Sequence, residues 1–254
     1  MNRTQVVSRP CPDTKIASGV APDVARRKMK VTLRIFLSLF LGLFVLILSS
    51  MISSINVLVL LRKSYSWLPL THTVMLTISF ILIYLLSKGK ISIYGLRMIE
   101  IKHLKQSILA GSVGGIIVGG LSLLLPVSGF DFMKEFSLLQ VVIFVWVCAS
   151  ISEEFLTRGL VQGFLAPLTK YRFMIFNFHI SLPILVGALF FGFMHMGLLT
   201  MHVDKFTVFA VVFFGIILGI IAGYYREISG SIISAIVVHM LFNVWGTILG
   251  SLRR

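Results

Sequence analysis

Seven stretches of this chain are dominated by apolar side chains: Leu33 to Leu61, Leu68 to Leu86, Ser107 to Leu125, Leu138 to Leu168, Leu182 to Leu199, Phe206 to Tyr224 and Ile232 to Leu249. At ~1.5 Å of rise per residue each is about long enough to cross a hydrocarbon core of ~30 Å as a helix. Inside lipid every backbone N–H and C=O must find its partner within the protein, so runs of this kind become helices. With 57% hydrophobic and 13% charged residues, the chain lies far outside soluble usage. The sequence therefore predicts an all-α polytopic transmembrane bundle of seven spans, or eight if one segment is re-entrant. The first run is longer than a signal-peptide core and lacks a small-residue cleavage site, so it reads as a retained, tilted span.

Charge sets the expected orientation. Twenty-three Lys and Arg stand against nine Asp and Glu, and the basic residues concentrate in the N-terminal arm and in the 87–106 and 165–180 loops. That bias predicts a multi-pass protein of the cell membrane with a cytoplasmic N-terminus, and it assigns the positive charge to anionic lipid rather than to nucleic acid. An odd span count puts Arg253 and Arg254 on the far side, against the same rule. Residues 1–32 are polar and basic without an apolar stripe and read as a disordered cytoplasmic arm. Residues 33–136 read as N-terminal transmembrane helices and 137–249 as the core that carries the chemistry. Cys11 and Cys148 differ too much in setting to suggest a disulfide or a thiolate metal site.

Gly111, Gly115 and Gly119 recur at intervals of four, as do Gly215, Gly219 and Gly223, which places each trio on one helix face open to close approach. Such ladders serve packing within one chain as well as between chains, so they assign no oligomeric state. The 87–106 linker, with Ile91, Ile93, Leu96, Met98, Ile99 and Ile101 among its lysines, reads as an interfacial amphipathic piece. Asp131, Lys134 and Glu135 read as a solvated loop. Lys170 and Arg172 mark a short loop after a fourth span that tilts, breaks or continues along the interface near Pro167.

Against this background the segment Ile151 to Leu160 stands out, because it sets Glu153, Glu154 and Arg158 inside apolar sequence. A charge at the centre of a membrane helix costs about 2.5–3.5 kcal/mol on insertion scales, so something must offset it. Glu154 and Arg158 are four apart, in the order that suits an ion pair. Glu153 is turned about 100° away and has no partner in its own helix. Adjacent carboxylates repel, which favours one of them as a proton acceptor. His195, His239 and Asn243 are the other polar groups in later spans, the last two sharing a helix face. These six side chains satisfy one another only if spans four, five and seven converge. Counting rise from the span ends puts Glu153 and His239 within a few Å in depth and His195 farther on. His72 reads as an interfacial or packed histidine and His103 as a solvated one.

In this order on successive apolar segments, Glu153-Glu154-x-x-x-Arg158, Phe191-x-x-x-His195 and His239-x-x-x-Asn243 resemble the three motifs of the CAAX-protease and bacteriocin-processing (CPBP/Abi) intramembrane endopeptidases. The phrase EEFLTRGLVQG is similar to the first motif and departs from it at Thr157, where the family often has an aromatic. The resemblance covers residues 137–249. It implies hydrolysis of a peptide bond in a membrane-associated, prenylated or leader-peptide substrate. Glu153 would be the general base and His195 would position the water. His239 and Asn243 would donate to the oxyanion, with Glu154 and Arg158 in support. No cofactor is implied; a zinc ion on the same His and Glu residues is the alternative, although no H-E-x-x-H pattern is present. Two other readings of intramembrane Glu and His remain at this stage: a proton-coupled transporter and a non-catalytic bacteriocin-immunity protein on the same fold.

Overall fold

The structure, a computed structural model, describes residues 29–55, 69–127, 136–175 and 178–252. Nearly all of the expected N-terminal arm, the Arg62-Lys63 turn, the loop with Asp131, Lys134 and Glu135, and Arg253-Arg254 lie outside the described residues. Seven helical segments among those described are long and apolar enough to cross a membrane. They are α1 (Val31–Ser53), α2 (Leu70–Ser87), α3 (Ile101–Leu123), α4 (Leu138–Phe164), α5 (Leu182–Met194, continued as a 3₁₀ helix over His195–Met201), α6 (Lys205–Ser229) and α7 (Ile232–Ser251).

The glycine ladders mark the two closest helix contacts. Along α3, a Cβ added at Gly111 would lie 2.9 Å from the Val238 Cα, and one at Gly115 would lie 3.0 Å from the Leu241 carbonyl oxygen. α7 is therefore seated directly on the α3 backbone. Between α5 and α6, a Cβ at Gly219 would meet the Ala188 Cα at 2.7 Å. Gly219→Val should force these helices apart, at the 1–3 kcal/mol typical of overpacking. A lowered melting temperature of the purified protein in detergent is the expected reading, and an unchanged one would contradict this contact.

Two apolar clusters fill the bundle. Val45, Met75, Ile83, Leu156, Leu160, Val161 and Phe190 join α1, α2, α4 and α5. Phe191, Leu218, Ala222, Ala235, Val238 and Phe242 join α5, α6 and α7. Consecutive residues of α5, Phe190 and Phe191, thus belong to different clusters, and α5 lies between them. One hydrogen bond fixes α1 against α4 in the first group, from Ser38 Oγ to the Val161 carbonyl at 3.0 Å.

Helix α4 stops just short of Pro167. It runs to Phe164 and ends in a 3₁₀ turn, Ala166–Leu168. Its length is absorbed by two π-helical stretches, Val141–Ala149 and Phe155–Val161, which put more residues into each turn. Between them, a single α-helical turn, Ser150–Glu154, carries the two glutamates.

Two connections differ from the sequence reading, and a third carries a cap. The loop near Lys170 continues into an antiparallel hairpin, β1 (Arg172–Ile175) and β2 (Phe178–Ser181), with Arg172 opposite Ser181. Four-residue strands are too short to show periodicity. Glu227 of α6 holds the hairpin through Arg172 Nη2 at 3.2 Å and Ser181 Oγ at 2.5 Å. In the 87–106 linker, only a 3₁₀ turn, Ile91–Tyr94, precedes α3, which starts at Ile101 rather than Ser107. His103 is inside that helix, with Nδ1 3.1 Å from Gln106 Oε1, and is not free in a loop. Finally, Asp204 caps α6 by accepting from the amides of Phe206 and Thr207, and the Thr207 hydroxyl and these amides hold its carboxyl below the usual range.

Hydrogen bonds gather several connections at one end of the bundle. Arg34 Nη1 donates to the Phe164 carbonyl, Arg97 Nη2 to that of Ser229, and the Ile232 amide to that of Gly95. This end also holds the lysines of the 88–100 loop and the hairpin, and it is referred to below as the basic end.

Candidate active site

The α-helical turn of α4 points its adjacent glutamates in different directions. Glu154 is fully buried, whereas Glu153 keeps 13% of its side-chain surface exposed. Glu154 Oε1 accepts from Arg158 Nη1 at 3.0 Å, the pair foreseen from their spacing. Arg158 is not a residue reaching for a membrane edge, because its side chain is 0% exposed. Its guanidinium lies over the Phe191 ring, 4.5 Å from the centroid, and Nη1 also reaches Thr157 Oγ1 at 2.5 Å. The ring face offsets part of the desolvation of the cation.

The same Glu154 oxygen stands 2.9 Å from His239 Nδ1. Since the carboxylate is paired with Arg158, it accepts and the imidazole donates. His239 therefore carries its proton on Nδ1, and its Nε2 presents a lone pair. His195 is fixed in the same tautomer by another acceptor, the Phe191 carbonyl, 2.8 Å from its Nδ1. Both Nε2 atoms stand 3.9 Å from one oxygen, Glu153 Oε2. That is too long for a direct hydrogen bond and suits a bridging water. The Phe191 ring meets both imidazoles edge-on, at 5.1 and 5.2 Å between centroids.

Residues 135–245 match the Rce1-like family of type II CAAX prenyl endopeptidases. Over this segment, less than half of its length, the chain is similar to the CAAX proteases. The matched segment contains Glu153, Glu154, Arg158, His195, His239 and Asn243. No curated protein and no solved structure gives a significant match.

Five of the six residues singled out in the sequence cluster within this segment. The sixth, Asn243, braces α4 from one turn farther along α7. Its Nδ2 donates to the Val145 carbonyl at 3.0 Å and to Ser150 Oγ at 3.1 Å, so both amide hydrogens are engaged in this arrangement. His195 stands level with His239 on the Glu153 oxygen, not beyond it as the depth count suggested. The π stretch Val141–Ala149 puts more residues into each turn, so a count of ~1.5 Å per residue does not hold along it.

Three contributors were not legible beforehand. Phe191 entered only as a motif position, yet its ring touches Arg158 and both histidines while its carbonyl orients His195. Its spacing of four from His195 was the available signal. His72 of α2 is packed as expected, but its partner is next to the catalytic candidate: Nδ1 lies 3.0 Å from Ser152 Oγ. Because that hydroxyl donates to the Cys148 carbonyl at 2.8 Å, the ring is the donor to it. Beside His195 there is also a cavity of about 350 Å³, whose lining includes Leu46 and Ser49 of α1, Thr71 and Met75 of α2, and Met194 and Gly197.

A zinc ion would need three donors within about 2.0–2.2 Å of one point. Among the described residues no group of three His, Cys, Asp or Glu is so arranged. The 3.9 Å between the Glu153 oxygen and each Nε2 is wider than the roughly 3.3–3.5 Å between ligands of a tetrahedral site with those bond lengths. As placed, these residues are spaced too widely for that metal.

Proposed function

We propose that this protein is an intramembrane endopeptidase that hydrolyses a peptide bond of a membrane-associated, prenylated or leader-peptide substrate, with its basic end in the cytoplasm. The observation that carries the reading is the convergence of two imidazole Nε2 atoms and one carboxylate oxygen on a space suited to water. A water there gives one hydrogen to Glu153 Oε2 and the other to His195 Nε2, leaving its own lone pairs free for the substrate carbonyl. As the water oxygen attacks the carbonyl carbon, Glu153 takes its proton. The carbonyl π pair moves onto oxygen, and the oxyanion needs donors.

His239 can serve in protonated form, since Glu154 holds Nδ1–H and an Nε2–H then faces the site. Of the two Asn243 bonds, the one to Ser150 Oγ is the bond an oxyanion would replace, which would let Asn243 act as the second donor. Collapse of the intermediate breaks the C–N bond, and the proton held by Glu153 passes to the departing amine. Arg158 and Phe191 keep Glu154 and the imidazoles in register and touch no reacting atom.

The test is purified protein in vesicles with a fluorescent CAAX-type peptide, farnesylated or not, in water enriched in ¹⁸O. Cleavage with one ¹⁸O in the new carboxylate is expected, and it should survive exhaustive chelation. Absence of any cleaved product from either peptide would count against the reading. Activity lost to chelator and regained with zinc would count against a metal-free site.

A further inference from the structure

The basic end holds a second polar cluster, built on the turn between α6 and α7. Arg226, in the last turn of α6, is 6% exposed, and its buried Nε has no hydrogen-bond partner. Its sequence neighbour Glu227 is engaged by Arg172 and Ser181. Of the two charges that act on Arg226, Glu227 attracts it and Arg97, acting less strongly, repels it. A Cβ at Gly95 would lie 3.3 Å from Arg226 Nε and 3.1 Å from Ile232 Cγ2. A Cβ at Gly230 would fall on the Arg97 guanidinium. The two guanidiniums therefore flank the turn Ser229-Gly230-Ser231 and the first residue of α7.

The neighbouring backbone carbonyls are already engaged by other donors. The Gly95 carbonyl accepts from the Ile232 amide at 2.9 Å, the Arg97 carbonyl from Ser231 Oγ at 2.6 Å, and the Ser229 carbonyl from Arg97 Nη2 at 2.9 Å. A buried guanidinium nitrogen without an acceptor is disfavoured, and a second cation nearby adds to the cost. The N-terminal end of α7, a helix of 20 residues, adds positive potential at the same corner. Its first amides are already bonded to protein, so it contributes field rather than donors.

We propose that Arg226 and Arg97 together bind the phosphate of an anionic phospholipid headgroup. Guanidinium forks match phosphate oxygens, and an anion between these two would both supply the missing acceptor and relieve their repulsion. The phosphate comes from a lipid because the corner sits at the ends of two membrane spans. Met98, Ile101 and Ile228, which are 87, 72 and 41% exposed, surround it with apolar surface for acyl chains. The site does not depend on the hydrolytic reading.

Full-length protein in phosphatidylcholine nanodiscs would be titrated with phosphatidylglycerol, with retained lipid read by native mass spectrometry and stability by melting temperature. The wild type should retain phosphatidylglycerol and melt higher. Arg97→Gln, at an exposed position, should bind about tenfold more weakly, the loss that one charge-assisted hydrogen bond of about 1.4 kcal/mol produces. Arg226→Lys should weaken binding too, because it keeps the charge and loses the fork. Replacing Lys88 and Lys90, exposed lysines at the same end, by Gln should change nothing. Wild-type binding in Arg97→Gln would overturn the proposal. So would equal weakening by the Lys88 and Lys90 changes, or an equal rise in melting temperature with inorganic phosphate alone.

Discussion

Glu153→Gln should lower the rate of peptide cleavage by about 10²- to 10⁴-fold, the usual contribution of a positioned general base, and leave the fold intact. The second half of that expectation is what makes the experiment informative. Glu153 is 13% exposed, and its closest ionic partners are the two imidazoles at 3.9 Å, so it makes no direct hydrogen bond that glutamine would break. The amide nearly matches the carboxylate in shape and can still contact a water, but it cannot take the proton of that water. Initial rates should therefore fall while the melting temperature and the amount of protein in the membrane stay near wild type. Glu154→Gln separates the adjacent residue by a different signature: it weakens the bonds to Arg158 and His239 and should alter stability and rate together. A Glu153→Gln protein that cleaves at the wild-type rate would remove the general base from the scheme.

How far the sequence anticipated this arrangement depends on which physical signal was available. Seven apolar runs gave seven spans, because lipid leaves backbone groups no partner outside the helix. The glycine ladders foretold close packing, although nothing in them distinguished α3 on α7 and α5 on α6 from other pairings. The Glu154–Arg158 pair followed from a spacing of four, a local relation that survives in any fold. His195 and His239 are different. Their meeting on the Glu153 oxygen depends on the tilt and rise of three helices, which a count of ~1.5 Å per residue from the span ends does not capture. No pattern of side chains announces a π stretch in Val141–Ala149, which is uniformly apolar. The tautomers were also out of reach, since each is set by a group not adjacent to the ring in sequence: the Phe191 carbonyl for His195 and the Glu154 carboxylate for His239.

Arg158→Met should cost about 3–5 kcal/mol, the loss usual when one partner of a buried ion pair is removed. Glu154 would be left ionised with 0% exposure, and its Oε2 already lacks a hydrogen-bond partner. Set against a total stability of about 5–15 kcal/mol, such a loss should deplete the protein from the membrane. The double replacement Glu154→Gln with Arg158→Met removes both charges and should recover most of that loss, because the pair is coupled and its members should not be additive. Glutamine retains an oxygen for His239 Nδ1–H, and methionine keeps a favourable contact with the Phe191 ring. The imidazole is thus expected to keep its tautomer, and the double variant should regain measurable cleavage along with its melting temperature. Equal stability of Arg158→Met and wild type would show that the guanidinium does not balance the buried carboxylate. Recovery of stability without recovery of cleavage would instead mean that the Glu154 charge itself is needed at His239, as expected if that histidine must carry a proton to face the oxyanion.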